Sequence, residues 1–218
     1  MKKLSFLLFV FSLSISAISQ SEKYGAAMKA RVERLDSLKS AAEWLDAANA
    51  FERIADAEKN QWLPYYYASL GQLMTGLMSG TPGAPLGADK TDPVADKAEQ
   101  LLLKAEALSK ENSEIFVLKK MIATLRMLAD PMNRWQIYGP QAAEFLQQAK
   151  KLNPDNPRVY YLEGQDKFYT PEEFGGSKAE AKVLFEESMK KYESFKPESP
   201  LHPQWGLSQV KYFYSQLK

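Results

Sequence analysis

The chain has 218 residues, a formal net charge of +1 and no cysteine. Without cysteine it forms no disulfide bond, and it lacks the residue that carries the lipid of a lipoprotein. The charge balance provides no broad basic face, which argues against nucleic acid as a partner. Stability must therefore come from a packed core, and a chain of about 200 residues is long enough to form one such domain.

Residues 1–19 have the order of a secretory signal peptide. Met1-Lys2-Lys3 is followed by an apolar run from Leu4 to Ile15 and by small residues at Ala17 and Ser19. This run is shorter than the roughly 20 apolar residues that a membrane-spanning helix needs. We therefore expect cleavage after Ser19, a single mature domain over residues 20–218, and no transmembrane anchor after cleavage. The expected location is periplasmic or secreted.

Apolar residues recur at helical spacing along the rest of the chain, and no run alternates as a strand would. Tyr24 to Leu38 carry the apolar face of a first helix. Eight more helices are predicted, at 41–59, 63–79, 92–110, 113–129, 140–152, 157–168, 177–193 and 203–217. Ser40 with Glu43, and Ser177 with Glu180, have the form of capping boxes. Asp92-Pro93 is predicted to open the fourth helix, with Asp92 as its N-cap.

A repeat of small and large side chains runs through the second helix of each predicted pair. The clearest instances are Ala98/Leu102/Ala105, Ala142/Leu146/Ala149 and Ala181/Phe185/Ser188. Small residues let a neighbouring helix approach closely, while the large one fills the groove beside it. Such a recurrence is typical of a tandem array of helix pairs.

The segment from Ala142 to Gly164 resembles the tetratricopeptide repeat. Leu146, Ala149 and Pro154 follow the small, large, small and proline order of that family, and Tyr160 with Gly164 follows its aromatic–x3–glycine start. The intervals between repeats exceed the ~34 residues usual in the family. The resemblance implies an all-α fold, a right-handed α-solenoid of about four antiparallel helix pairs with a C-terminal capping helix.

Three segments between the predicted helices are longer than the family requires. They are Gly80–Thr91, Asp130–Gly139 and Tyr169–Gly176, and two of them carry aromatic residues. Insertions on one edge of a repeat array often form its binding face. Trp135, Tyr138 and Phe174 are therefore candidate contact residues. The alternative is that these rings only plug their own loops against the core.

The resemblance also implies a concave surface lined by the first helix of each pair. Taking Tyr67 and Tyr160 as the family's packing positions places an aromatic and amide-rich set on that surface. Tyrosine suits binding surfaces because it combines a large rigid ring with a polar tip. Core packing is the competing explanation for each of these rings. The concave candidates are Tyr65, Gln72, Phe116, Lys120, Tyr161, Gln165 and Phe168.

No catalytic or metal site is predicted, and no cofactor is expected. The glycine-rich segment Gly80–Thr91 lacks the Gly-Lys order of a phosphate-binding loop, and two prolines remove amide donors from it. His202 is the sole histidine, whereas imidazole metal sites usually need several ligands. The paired acids Glu172-Glu173 and Glu186-Glu187 point in different directions on a helix, so neither pair forms an acid–base dyad.

These features favour a non-catalytic binding scaffold that holds a peptide or protein partner on its concave face or loop edge. The alternative is a carrier of a small organic ligand, as in exported helical-repeat proteins of solute-uptake systems. Trp205 and Tyr212 in the last helix would then help to close an aromatic interior pocket. A cavity of several hundred Å³ would favour this second interpretation. An enzyme is the least supported class, and the oligomeric state is open.

Overall fold

The computed structural model describes residues 22–80 and 84–217, and within them the chain forms nine α-helices and no strand. The predicted signal peptide and cleavage site lie outside the described residues. No helix in the described ranges combines the length and the apolar character needed to cross a membrane. The helices are α1 (22–32), α2 (Ala41–Glu58), α3 (Trp62–Met78), α4 (Ala88–Leu108), α5 (Ser113–Ala129), α6 (Pro131–Leu152), α7 (Pro157–Tyr169), α8 (Lys178–Ser194) and α9 (Leu207–Ser215).

Side-chain caps determine where several helices begin. Ser40 and Glu43 form the predicted capping box, in which each side chain accepts a hydrogen bond from the backbone N–H of the other. The backbone N–H of Lys39 also donates to the Glu43 carboxylate. This hydrogen bond and those from Ser40 lower the pKa of the Glu43 carboxyl. Ser177 caps α8 by accepting from the N–H of Glu180.

Asparagine caps start α5 and α7, both first helices of a pair. The Asn112 side chain accepts from the N–H of Glu114 at 2.9 Å, and the Asn156 side chain accepts from the N–H of Arg158 at 3.0 Å. Each cap places a charged residue in the first turn of its helix. Glu114 and Arg158 therefore stand side by side where α5 and α7 begin.

Each long helix packs on the next one in the chain, and two glycines allow the closest approaches. A Cβ on Gly71 of α3 would lie 2.7 Å from the Cβ of Ala48 in α2. A Cβ on Gly164 of α7 would lie 2.6 Å from the Phe185 ring in α8. Tyr67 with Gly71 has the same aromatic–x3–glycine spacing as Tyr160 with Gly164. The structure gives the reason for the glycine: the neighbouring helix occupies the space of a side chain.

The predicted start of α6 at residue 140 is wrong. The helix begins at Pro131, so Trp135 and Tyr138 lie on a helix and not on a loop. Asp130-Pro131 provides a favourable start because proline at the first helical position loses no hydrogen bond. Arg134, in the added turns, forms an ion pair with Asp92 of α4 that holds this extension in place. Pro140 lies inside the helix, where sequence reasoning took it as a boundary.

Two other predicted starts also shift. α4 begins at Ala88, because Gly87 adopts a left-handed backbone (φ 81°) at the N-cap; Asp92 is therefore an ion-pair partner and not the cap. α9 begins at Leu207 and not at 203. The connection predicted at Tyr169–Gly176 starts one residue later, because α7 includes Tyr169, and it contains one short 3₁₀ turn at Glu172–Phe174.

The stretch 195–206 between α8 and α9 returns to the second and third helix pairs. The hydroxyl of Tyr67 in α3 donates to the Leu201 carbonyl at 2.8 Å, and Trp62 meets the His202 ring edge-on. In a simple repeat array each unit contacts only its neighbours. This stretch adds contacts between elements far apart in the chain, so the C-terminal part is fastened back onto α3.

Candidate functional site

The first candidate site is a half-open groove of about 310 Å³, here called the groove. Its floor is α5, and its walls are α4 and α6. A ligand entering it would meet apolar side chains on three helices, with charged groups at the margins. The lining residues are Glu99, Leu102 and Leu103 of α4, Lys119, Ile122, Ala123 and Arg126 of α5, and Tyr138, Gln141 and Phe145 of α6.

Helical spacing produces this lining. Lys119, Ile122, Ala123 and Arg126 follow the i, i+3, i+4, i+7 order that places residues on one face of a helix. The two apolar residues are almost fully buried at 4% and 3% exposure, and a cationic side chain lies one turn away on each side. The floor of the groove is therefore apolar in the middle and positively charged at both ends.

Arg126 sits at one end of the groove, paired with two carboxylates of α4. Its Nη2 donates to Asp96 at 2.7 Å and to Glu99 at 2.8 Å. Burial alone would lower the pKa of this guanidinium, but its hydrogen bonds to the two carboxylates raise the pKa above its ordinary value. The cation is thus permanent, and Glu99 is the partner that itself lines the groove.

Lys119 sits at the other end, and its ammonium already has partners within the protein. Its ammonium pairs with Glu106 and lies over the rings of Phe116 and Phe145, at 4.8 and 5.8 Å from their centroids. A cation held over aromatic rings is stabilised by the charge distribution of the rings. Lys119 is therefore mainly part of the wall of the groove.

The second candidate site is a polar cavity of about 400 Å³ at the start of α5 and α7, partly covered by residues 195–203. Trp62, His202, Phe195 and Arg158 are among its lining residues. A set of buried and half-buried side chains adjoins this cavity and is here called the joint: Tyr66, Glu114, Arg158, Tyr192 and Trp205.

The joint is a continuous hydrogen-bond network. Arg158, with no exposed surface, donates from Nε and Nη2 to the Glu114 carboxylate and from Nη1 to the Trp205 carbonyl. Burial alone would lower the pKa of its guanidinium, but the Glu114 charge raises it above the ordinary value. The indole N–H of Trp205 donates to the Tyr66 hydroxyl, and Tyr192 donates to the Trp205 carbonyl. Since these partners belong to the protein itself, the joint is structural.

The ring nitrogens of His202 also have partners, and these lie within residues 195–203, the stretch that partly covers the polar cavity. Its Nδ1 lies 2.8 Å from the Ser199 hydroxyl and its Nε2 lies 3.2 Å from the Glu198 carboxylate. Across the described part of the chain, no group of three His, Cys, Asp or Glu side chains is placed to hold a metal ion. The contacts of His202 thus fasten residues 198–202 to one another.

The predicted site residues divide between these regions. Tyr138 lines the groove, and Phe116 borders it through its contact with Lys119. Trp135 and Phe174 are exposed at 54% and 74%, and Gln165 and Phe168 are half-buried. The remaining candidates are buried: Tyr65, Gln72, Lys120 and Tyr161. Lys120 pairs with Asp166.

Sequence reasoning missed most of the groove. It placed the binding surface on the first helices and the loops, whereas the groove uses two second helices as walls. The signal that was available is the apolar pair Ile122-Ala123 flanked one turn away by Lys119 and Arg126. This signal becomes informative only when the side of α5 left open between α4 and α6 is known.

Comparisons with known proteins show which family the chain belongs to. No family model and no curated protein sequence matches the chain. Among solved structures, the chain is similar to the HusA haemophore from Porphyromonas gingivalis, at 33% sequence identity and a TM-score of 0.78. The match covers 89% of this chain and 92% of the haemophore. With this identity over nearly the full length of both proteins, the chain belongs to the family of the HusA haemophore.

Proposed function

We propose that this protein is a carrier that binds haem, or a closely related planar porphyrin, in the groove between α4, α5 and α6. The main support is the family relationship to a protein described as a haemophore. The groove supplies matching chemistry, because the porphyrin ring is mostly apolar and carries carboxylates at one edge. Leu102, Ile122 and Ala123 suit the ring, and Arg126 suits a carboxylate.

The size of the groove indicates how such a ligand would lie. Its volume of about 310 Å³ is at the low end of the ~300–1,000 Å³ common for ligand sites. A flat ring would therefore be only partly enclosed and would extend past the exposed edge of Leu103. A half-open site of this kind suits a carrier that must also release its ligand.

Among the residues that line the groove, Tyr138 is the one of a type that binds haem iron in other proteins. Replacing Tyr138 with Phe keeps the ring and removes the phenol. A shift in the absorbance spectrum of bound haem would then report coordination of iron. An unchanged spectrum would assign recognition to the ring and its carboxylates.

A direct test is a titration of the purified chain with haem, followed by absorbance and by calorimetry. We expect saturable binding, and we expect Leu103→Glu to weaken it about tenfold or more, because a carboxylate beside the apolar ring must lose water. Val183→Glu is the matched control, since Val183 is also exposed, at 63% against 54%, but lies on α8 away from the groove. Absence of binding, or equal affinities of both variants, would exclude the groove.

We also propose that the chain is exported and non-catalytic, and that its helix pairs form a right-handed tetratricopeptide-like solenoid. Export is supported by the order of charged, apolar and small residues in positions 1–19. The solenoid is supported by the close contacts of Gly71 and Gly164 at their family positions. N-terminal sequencing of the mature protein tests the first point, with Gln20 as the expected first residue.

A second candidate function is the protein-binding scaffold. It is supported by exposed aromatic residues at the end of α7 and on α9, where Tyr169, Phe174 and Tyr212 are 67%, 74% and 60% exposed. Crosslinking in cells followed by identification of co-purifying molecules separates the two functions. A dominant protein partner would favour the scaffold, and a porphyrin released on unfolding would favour the carrier.

A further inference from the structure

Arg126 is a mostly buried cation whose two partners are mostly exposed. Its side chain is 14% exposed, whereas those of Asp96 and Glu99 are 57% and 54% exposed. Exposed ion pairs contribute little stability, since water solvates the carboxylates almost as well. The arginine is therefore fixed in the groove, while Glu99 can turn away from it at small cost.

Within the described residues, only one nitrogen of the Arg126 guanidinium donates to acceptors of the protein. Both carboxylates accept from Nη2, and in the part of the chain that the structure describes no acceptor meets the Nε or Nη1 hydrogens of Arg126. Neither nitrogen is a fully buried atom without a partner, so each retains some exposed surface. The Nε–H lies on the Nη2 side of the guanidinium and shares no edge with Nη1, so each of these two groups can donate singly to an oxygen acceptor.

The other cations near the groove are occupied. Lys119 lies over two rings with its ammonium on Glu106. Arg134 donates from Nη1 and Nη2 to the two oxygens of Asp92, at 2.6 and 2.8 Å. Among these three cations, Arg126 alone lines the groove and keeps N–H donors, on Nε and Nη1, without an acceptor in the described part of the chain.

We propose that Arg126 binds a carboxylate of the ligand and that Glu99 is its internal competitor. This inference rests on the proposed function of the groove. A ligand carboxylate beside Arg126 would stand close to the like charge of Glu99, which is also on the wall. Glu99 therefore has to move away when the ligand binds, and its charge weakens the binding of ligands that carry carboxylates.

The test compares haem with its dimethyl ester, in which both carboxylates are masked. Affinities are measured for the wild-type chain, Arg126→Gln and Glu99→Gln. We expect Arg126→Gln to weaken haem about tenfold or more and the ester by much less, because a charge-assisted hydrogen bond is lost only with haem. Glu99→Gln is expected to strengthen haem severalfold and to leave the ester unchanged.

Arg134→Gln is the matched control, since it removes a neighbouring arginine that does not line the groove. It is expected to change the two affinities equally, if at all. Equal losses for haem and ester in Arg126→Gln would overturn the inference, as would a Glu99→Gln variant that binds haem no better. If both ligands bind and Leu103→Glu weakens the binding of neither, the groove is not the ligand site. In that case the role of Arg126 is rejected together with the proposed site.

Discussion

The groove and the joint are both built where helices of neighbouring pairs meet, but they treat charge in opposite ways. In the joint, Arg158 is fully buried and its donors end on protein acceptors. In the groove, Arg126 keeps donors on Nε and Nη1 without an acceptor in the described part of the chain, and its carboxylate partners are exposed. A fully buried pair with protein partners positions helices, whereas a cation with free donors on an apolar floor is available to a ligand.

This contrast explains why the larger cavity is the weaker candidate for a ligand site. The polar cavity beside the joint measures about 400 Å³ against about 310 Å³ for the groove. Buried groups beside it already hold residues 195–206 against α3 and α7. Volume alone does not mark the site, because a ligand also needs apolar surface and free polar groups.

The largest expected effect tests whether the joint is structural. Glu114→Gln removes the counter-ion of a guanidinium that has no exposed surface. An uncompensated buried charge of this kind costs about 3–5 kcal/mol, so we expect that loss in the free energy of unfolding. Urea denaturation followed by circular dichroism measures it.

Glu163→Gln is the matched control on the neighbouring pair Lys150–Glu163. Both of its side chains are more exposed, at 42% and 34%, so the loss should stay below ~1 kcal/mol. Equal losses in the two variants would mean that the joint is no more important than a surface ion pair.

Two glycine replacements compare a tightly packed position, at the contact of α7 and α8, with an open position on α6, the helix that forms one wall of the groove. Gly164→Ala places a methyl group against Phe185, which has no exposed surface, and should cost about 1–3 kcal/mol. Gly139→Ala lies in α6 with no atom within 4 Å of the added Cβ and should stabilise the helix by about 0.5–1 kcal/mol. Thermal and urea unfolding of both variants measure the difference. A neutral Gly164→Ala would mean that the two helices can move apart freely.

The last effect is absent at neutral pH: it is a loss of stability at alkaline pH that comes from the joint. Burial, the largest cause, raises the pKa of Tyr66 and of Tyr192 above the ordinary value of 10.0. Their contribution is complete below pH 10.0 and is lost as the pH rises, because only the unfolded chain then ionises them. Each tyrosine should cost about 1.4 kcal/mol per pH unit above that point.

Urea denaturation at a series of alkaline pH values measures this slope. Tyr192→Phe should flatten it, whereas Tyr212→Phe, at a side chain 60% exposed, should not. An identical slope in the wild-type chain and in Tyr192→Phe would contradict the burial of the Tyr192 phenol.

The helices and several of their ends could be read from local sequence. Ser40 with Glu43 and Ser177 with Glu180 start helices as predicted, because a cap depends on residues within one turn. The starts of α4 and α6 could not be read in this way. Asp92 looked like a cap and Pro140 like a boundary, but an ion pair to Arg134, 42 residues from Asp92, supports the added turns of α6.

The same division holds for function. The sequence by itself determined an all-α chain of paired helices without a recognisable catalytic motif, and it left scaffold and carrier open. Its aromatic clusters drew attention to Tyr65 and Tyr161, which tertiary packing buries. Only the folded chain decided that α5 exposes Arg126 beside Ile122 and that Arg158 ends inside the joint. The physical reason is that helix periodicity specifies which residues share a face, whereas contacts between distant helices decide which face stays open.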